Sequence, residues 1–408
     1  MVIESNSICE KYTEVDRISN LPDHLICHIL SFLPTKQSVP TSTLSTRWKP
    51  PWTMVPALDF EDTDKPNPRY RGNNNRMTFI HFVCGVLAVR KPVPLKKFRL
   101  QLISLNHSIH FHVRAWIFYA MGHGVEELDL KLFLWRPFEL PLHVLRCKSI
   151  EILTLYGTIL LKCRSESVYL QKIKHLRLLK VKYANEDSFH SLLTGSPHLQ
   201  KLSVWSVQQD NSMTLHICHP TVEWLSTINE AKDRRFKLEI NVPNLKFLSL
   251  VDSLYQFDLR NNVVKVTFNL FEHEQQANDL ENYSHLFRPL TDAQTLILQY
   301  VKVLPILLTY SILVVILSTF FNFMLVCYYF KVFNKHYSLV HFILVTTFFL
   351  QSPCFDFSLP MLNNLRSLQL QVRCCQWHLL PNLLESAPNL VNLIINKASL
   401  VLKYYYFS

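Results

Sequence analysis

The chain has 408 residues, of which 49% are hydrophobic and 18% are charged, and its formal net charge is +11. This length is sufficient for two or three domains, and this apolar content excludes a chain that is disordered throughout. The chain contains only six glycines and lacks the clustered glycine motifs that bind phosphates or expose a catalytic serine. This argues against a nucleotide-binding enzyme and against an α/β-hydrolase.

Residues 1–15 are polar, carry both charges and lack a secretory signal, so they are expected to form a flexible N-terminal segment. Beyond them, apolar residues recur at steps of four and predict a helix with a wide apolar stripe. The stripe consists of Leu21, Leu25, Ile29 and Leu33, with Ile26 and Leu30 beside them. Pro34 is expected to end this helix, and a second helical segment is predicted through Leu44 and Trp48. A stripe this wide on so short a module is not expected to be buried internally, so it either packs on the rest of the chain or fits a partner groove.

The sequence LPDHLICHILSFLPTK…LSTRWKPPW, within residues 16–62, resembles the F-box of plant F-box proteins with leucine-rich repeats. The resemblance implies that the module docks on the Skp adaptor of a cullin-based ubiquitin ligase. The adaptor-contact positions that it implies are Leu21, Pro22, Leu25, Ile29, Leu30, Leu33, Leu44, Trp48 and Trp52. Pro40 and Pro51 depart from the family pattern, and they are expected to weaken docking because an interior proline costs a helix about 3 kcal/mol.

Residues 63–90 are interpreted as a linker to a repeat region at residues 91–300. There, Leu-x-Leu cores recur at intervals of 23 to 26 residues, a period typical of leucine-rich repeats. The cores lie at Leu128, Leu153, Leu176, Leu202, Leu225 and Leu248, and the pattern continues at Leu368 and Leu393. The predicted fold is therefore α/β: an N-terminal helical F-box followed by a leucine-rich-repeat solenoid with a parallel, strand-lined concave face.

The segments HSLLTGSPHLQKLSV and LPNLLESAPNLVNLII are similar to each other, and each predicts a short helix, a turn and the next strand. They also resemble the repeats of plant F-box/leucine-rich-repeat proteins of the FBD type. Residues 352–400 are assigned to C-terminal repeats and residues 401–408 to a tail, and the FBD segment of that family is expected to be absent.

The polar positions between the core leucines are candidates for contacts with a protein target, because the concave face of a solenoid usually recognises proteins. For any one of them, the alternative is that it only solvates the sheet. The five candidates are Asp129, Lys131, Arg177, Lys180 and Trp205. Thr154, Ser203 and Ser249 occupy equivalent positions.

Residues 301–351 form an apolar insert in the repeat pattern. Residues 303–330 carry no charge, and a helix of this length would exceed the roughly 30 Å hydrocarbon core of a bilayer. However, Leu296 and Leu368 are 72 residues apart, and removing the 51 residues of the insert reduces that spacing to 21, a normal repeat length. Three interpretations stay open: a retained T-rich intron, a transmembrane hairpin at residues 303–355, or a buried insertion.

No nucleophile, base and orienting group can be assembled from the sequence, and histidines such as His110 and His112 lack a second pair at zinc-site spacing. We therefore expect no enzymatic activity, no metal, no cofactor and no nucleic-acid partner. The leading hypothesis is a substrate-recognition subunit of a Skp-cullin-F-box ligase in the nucleus or cytoplasm. The alternatives are a membrane-anchored recognition protein and a non-functional F-box remnant.

Overall fold

A computed structural model describes residue 18 and residues 21–62, 74–104, 109–206, 214–229, 237–251, 256–259, 265–271, 293–301, 360–372 and 379–397. The chain divides into two compact units, Met1–His198 and Leu199–Ser408. The predicted N-terminal segment 1–15, the tail 401–408 and all but the first residue of the insert lie outside the described residues.

The first unit begins with a small helical module. Helix α1 spans Asp23–Leu30, follows Pro22 and carries Asp23 in its first turn, where a negative charge is favourable. Helix α2 spans Thr35–Ser38. It is followed by three short 3₁₀ helices: Val39–Thr43, Thr46–Trp48 and Pro51–Met54.

The prediction of a second helical segment through Leu44 and Trp48 holds only in part, because this part of the chain forms two short 3₁₀ helices, Val39–Thr43 and Thr46–Trp48, with a break between them. Pro40 lies in the first turn of Val39–Thr43, and Pro51 begins Pro51–Met54. At the start of a helix the missing N–H of proline has no intrahelical partner to lose. Neither proline therefore interrupts an α-helix, and the expected helix-breaking penalty does not arise at these positions.

The main sheet of the first unit is parallel throughout, with strand order β1-β2-β3-β5-β7. The strands span Ala57–Glu61 (β1), Lys97–Ser104 (β2), Glu127–Leu134 (β3), Ile152–Gly157 (β5) and His175–Leu179 (β7). Leu128 pairs in register with Leu153, and Leu153 pairs with Leu176, as the repeat spacing predicts. Strand β1, which lies inside the predicted F-box span, continues the same register with Leu58 opposite Phe98.

The connections between these strands change in type along the first unit. Helix α3 (Asn74–Val89), inside the span interpreted as a linker, joins β1 to β2, and α4 (Ile109–Gly122) joins β2 to β3. After β3, each connection contains a short strand of a second parallel sheet: β4 (Phe138–Glu139), β6 (Ile159–Leu161) and β8 (Lys182–Tyr183). Helix α5 (Glu186–Thr194) follows β8. The expectation of a helix or turn in every repeat is thus incomplete, because Phe138, Ile159 and Leu161 bury their side chains from short strands instead.

The second unit repeats this plan. Its main sheet contains seven parallel strands, ordered β9-β11-β13-β15-β16-β17-β18. They span Lys201–Ser206, Trp224–Asn229, Phe247–Val251, Lys265–Phe271, Thr295–Val301, Ser367–Val372 and Asn392–Lys397. A second sheet contains β10 (Thr214–Cys218), β12 (Lys237–Asn241) and β14 (Gln256–Leu259), and helix α6 (Leu379–Glu385) precedes β18. The Leu-x-Leu spacing did not predict β15, where Val266 pairs in register with Leu248 at the core position.

The strands on either side of the insert are neighbours in this sheet. Leu296 of β16 pairs with Leu368 of β17, although 72 residues separate them in sequence. The repeat on each side therefore meets the next one directly, as it would after removal of the insert. Within the described residues, no helix is both long and apolar enough to cross a membrane. The apolar residues 303–330 lie outside those residues, so their interpretation stays open.

We predict that deletion of residues 302–351 keeps the fold, since it retains all of β16 and the β16–β17 pairing. The deleted form should be more soluble, because large apolar side chains exposed to water are unfavourable by roughly 25 cal/mol per Å². Solubility and the cooperativity of urea unfolding measure this. A matched deletion within the sheet, of residues 295–301, should abolish cooperative unfolding. Loss of the folded transition on deleting 302–351 would instead assign the insert a structural role.

Candidate functional site

The helical module has a hydrophobic core of its own. Ile26 and Leu30 of α1 are buried against Trp48 and Val55, and Leu21, Trp52 and Ala57 pack around them partly buried. Leu30 and Trp48, both predicted adaptor contacts, thus lie inside the module. The expectation that the apolar stripe cannot be buried internally is wrong for this side of α1, because the 3₁₀ helices fold back over it.

The other side of α1 and the residues after it leave large apolar side chains exposed. The exposed fractions are 40% for Leu25, 45% for Ile29, 74% for Phe32, 36% for Leu33 and 68% for Leu44. Leu25 and Ile29 are one turn apart on α1, and Phe32 and Leu33 follow its end, so they lie along one side of the module. Pro22 is exposed at the start of the helix. We call Leu25, Ile29, Phe32, Leu33 and Leu44 the apolar F-box face; sequence reasoning missed Phe32, although it lies beside the stripe.

Polar contacts hold the start and the middle of α1 to the later segments of the module. Arg47 forms an ion pair with Asp23 and donates a hydrogen bond from Nη2 to the carbonyl of Leu21 (2.9 Å). The thiol of Cys27 donates to the carbonyl of Pro51 (3.3 Å). Burial, reinforced by Asp23, raises the pKa of Cys27, which favours the protonated thiol that this bond requires. The start of α1 is thereby tied to the segment with Arg47, and its middle to the segment with Pro51.

The outward face of the first unit's sheet carries a row of charged side chains that pair with one another. Asp59, Arg99 and Asp129 occupy equivalent positions on β1, β2 and β3. Arg99 contacts Oδ2 of Asp59 through Nη1 at 3.0 Å and Oδ2 of Asp129 through Nε at 3.6 Å. Asp129, a predicted target contact, therefore already takes part in an ion pair within the sheet.

Asp129 is nonetheless incompletely satisfied. Within the described residues, its Oδ1 is buried and has no hydrogen-bond partner. Burial raises the pKa of the Asp129 carboxyl above its ordinary value, and the cations of Lys131 and Arg99 oppose this rise only in part. Ionisation of Asp129 is therefore unfavourable for the stability of the folded first unit.

The other predicted target contacts are spread over both units, and of these Lys131 is close enough to Asp129 to oppose the rise of its pKa. Lys131 lies opposite Tyr156, and Arg177 is exposed opposite Thr154. Lys180 follows β7 in a left-handed backbone conformation, with φ of 55°. Trp205 belongs to the second unit, where it lies on β9 opposite Ile228. Of the remaining candidates, Thr154 and Ser249 are buried and Ser203 is partly buried.

The second unit carries a row that sequence reasoning missed. Lys201, Trp224, Phe247 and Lys265 occupy equivalent positions on β9, β11, β13 and β15. The rings of Trp224 and Phe247 stack with 5.5 Å between centroids and 4° between planes, and Nζ of Lys265 lies 5.7 Å from the Phe247 centroid. The signal was the residue before the first core leucine in successive repeats (KLSV, WLST, FLSL). We call these four residues the aromatic–lysine row.

Comparison with known proteins agrees with this architecture. The F-box domain model matches residues 18–49, which contain α1, α2 and the first two 3₁₀ helices. A family described as "FBD-associated F-box protein At5g56370, LRR repeats" matches residues 113–269, which contain the strands from β3 to β14 and most of β15. Residues 18–49 thus match an F-box, and residues 113–269 match leucine-rich repeats of an FBD-associated F-box protein. The F-box is the N-terminal helical module, and the repeats supply the parallel strands.

Several Arabidopsis thaliana proteins are similar to this chain. F-box/LRR-repeat protein At3g59190 is 37% identical over 175 residues, which cover 42% of this chain and 44% of that protein. FBD-associated F-box protein At1g66310 is 35% identical over 186 residues, covering 45% and 39% respectively. F-box/LRR-repeat protein At4g14103 is 36% identical over 183 residues, covering 45% and 47%. The chain thus matches less than half the length of each of these relatives.

Truncation of a side chain should destabilise the module strongly in the F-box core and only slightly on the apolar F-box face. Leu30→Ala should destabilise the module by about 2–5 kcal/mol, because Leu30 is fully buried and its loss leaves a cavity. Leu44→Ala should change stability by less than about 0.5 kcal/mol, because the side chain is exposed. Amide hydrogen exchange of α1 in the full chain measures both. Equal loss of protection in the two variants would contradict this division.

Asp129→Asn should stabilise the first unit at neutral pH. Because the folded-state pKa of Asp129 is raised, its favourable contribution is complete below the unfolded pKa and is lost as the pH rises through the folded pKa. Asparagine places no charge at this position, so the stability gained over wild type should shrink as the pH falls and the wild-type Asp129 carboxyl becomes protonated. Thermal unfolding across acid to neutral pH measures this, with the exposed Glu166→Gln as control. A lower midpoint for Asp129→Asn at neutral pH would mean that the Arg99 ion pair outweighs burial.

Proposed function

We propose that this F-box/LRR chain is the non-catalytic substrate-recognition subunit of a Skp-cullin-F-box type ubiquitin ligase. In this proposal the F-box binds a Skp-type adaptor, and through it a cullin, while the LRR strands bind a protein to be ubiquitinated. The observation that carries the proposal is the apolar F-box face, on the module that matches the F-box domain. Such a subunit acts in the nucleus or cytoplasm, where its ligase partners work.

The exposed residues suit helix-in-groove docking. Large apolar side chains clustered on one small module are unfavourable in water and mark a surface that a partner covers. We assign direct adaptor contact to Leu25, Ile29, Leu33 and Leu44, with Pro22 at the rim. The other predicted contacts then act indirectly, because they form or border the core that holds α1 in place. They are Leu21, Leu30, Trp48 and Trp52.

The chain's contribution to the reaction is proximity. A target held on the LRR strands is brought close to a ubiquitin-carrying enzyme that other subunits recruit, which converts an encounter of separate molecules into a reaction within one assembly. F-box/LRR proteins are generally adaptors without catalysis of their own. Within this proposal, target specificity depends on the outward-facing side chains of the strands, and assembly depends on the F-box.

Leu25→Asp should weaken adaptor binding by about 2 kcal/mol or more, because a carboxylate would be buried in an apolar groove. Calorimetry of the full chain with a purified Skp-type adaptor measures the affinity. Phe111→Asp is the matched control, since Phe111 is equally apolar and 76% exposed but lies on α4, outside the F-box. Binding should be unchanged in that variant. No binding by wild type, or equal loss in both variants, would refute adaptor docking through the apolar F-box face.

A further inference from the structure

Resting on the proposed function, we infer that the aromatic–lysine row of the second unit binds an extended acidic segment of the target protein. The segment carries two carboxylate side chains four residues apart and an apolar side chain midway between them. The inference assigns a chemical class to the target of the LRR strands. It rests on the charge, spacing and stacking of Lys201, Trp224, Phe247 and Lys265.

The row lies on the outward face of the sheet. Residues alternate between the two faces of a strand, and Leu202, Leu225 and Leu248, next to members of the row, are fully buried on the core side. Trp224 and Phe247 are therefore presented outward, partly exposed, while Lys201 and Lys265 are exposed. Because the two rings stack on each other, the pair presents its ring edges outward as an apolar platform that a partner side chain can cover.

The charges on the row call for an anionic partner. Within the described residues, neither Lys201 nor Lys265 forms an ion pair with a carboxylate. Glu223, the acidic residue next to Trp224, is already paired with Lys246 at 2.9 Å. On the outward face of the first unit, Arg99 is already paired with Asp59 and Asp129, whereas Arg177 is exposed. The aromatic–lysine row combines two exposed cations that have no carboxylate partner in the described residues with an aromatic pair, and Lys265 lies over the Phe247 ring.

The spacing of the lysines decides between possible anions. Lys201 and Lys265 stand three strand spacings apart, about 14 Å at about 4.8 Å per strand. One phosphate group cannot span this distance, and the row lacks the arginine forks that favour phosphate. An extended chain advances about 3.4 Å per residue, so two side chains four residues apart stand about 14 Å apart on the same face. The residue midway also points to that face and meets the Trp224–Phe247 stack.

The residues beside the row are compatible with an extended chain crossing the strands. Two positions further along each strand lie Ser203, Ser226, Ser249 and Thr267, again in register. These side chains are short, but Ser249 and Thr267 are buried, so only Ser203 and Ser226 are accessible beside the platform. Ser203 and Ser226 are partly exposed, and a hydroxyl can donate to a peptide carbonyl or a carboxylate.

The test measures binding of a fluorescent peptide to the full chain by polarisation. In the peptide, two glutamates flank a central phenylalanine, each separated from it by one serine, and the ends are blocked glycine–serine. Wild type should bind it, and the affinity should fall at least about tenfold in Lys201→Glu/Lys265→Glu, because two attractions become repulsions. Lys148→Glu/Lys162→Glu is the matched control, since it makes the same charge change at exposed lysines of the first unit. That variant should bind as wild type does.

Peptide controls test spacing and chemistry. Replacing the glutamates by glutamine, placing them on adjacent positions, or replacing phenylalanine by serine should each weaken binding. Trp224→Phe should retain more affinity than Trp224→Ala, because it preserves an aromatic platform. Equal binding by the lysine-reversed and control variants would overturn the inference. So would tighter binding of a peptide with one central phosphoserine, or of a single-stranded oligonucleotide.

Adaptor capture by the same preparations separates this inference from the proposed function. Retained adaptor binding with no peptide binding would overturn the acidic-segment inference alone. Peptide binding that depends on Lys201 and Lys265, in a chain that captures no adaptor, would support the binding surface and remove the ligase role.

Discussion

The fold depends on one repeated contact: each parallel strand buries an apolar residue in register with a buried apolar residue of the neighbouring strand. In the first unit Leu58, Phe98, Leu128, Leu153 and Leu176 form such a column, and each is nearly or fully buried. Because side chains alternate across a strand, fixing this column also fixes which residues face outward. A one-residue slip would bury Asp129 or Arg177 and expose leucines, so the same constraint that builds the core presents the outward rows.

The period of the leucines made the strands predictable, whereas their connections were not. Leu-x-Leu spacing identified β3, β5 and β7 and placed Leu296 next to Leu368 across the insert. It did not reveal β15, where the motif becomes Val-x-Phe, because the strand needs only a buried apolar residue at that height and not leucine itself. The short strands β6 and β8 were also missed, since two or three residues carry no measurable period.

The F-box shows where a sequence pattern cannot separate two roles. Ile26 and Leu30 are core while Leu25 and Ile29 are surface, yet all four are aliphatic residues on one short helix. The division depends on which side the 3₁₀ helices cover, and two of those three helices begin at or next to prolines that were expected to break a helix. A proline at the start of a 3₁₀ helix preserves the local backbone, so the departures at Pro40 and Pro51 are compatible with a closed module core.

The two outward faces differ in electrostatic character, and this bears on how a target would be selected. In the row Asp59–Arg99–Asp129, the charged groups are already paired within the sheet. A partner bound there would gain little from an added ion pair, and its binding would be opposed by the desolvation of the existing pairs. At the aromatic–lysine row, an incoming carboxylate meets an exposed ammonium and an apolar platform together. In the proposed interaction, charge at the ends of that row would steer association and set the spacing, while contact with the stacked rings would supply burial. The side chains that discriminate between targets would then be those that precede the core leucines, a position that the leucine spacing does not mark.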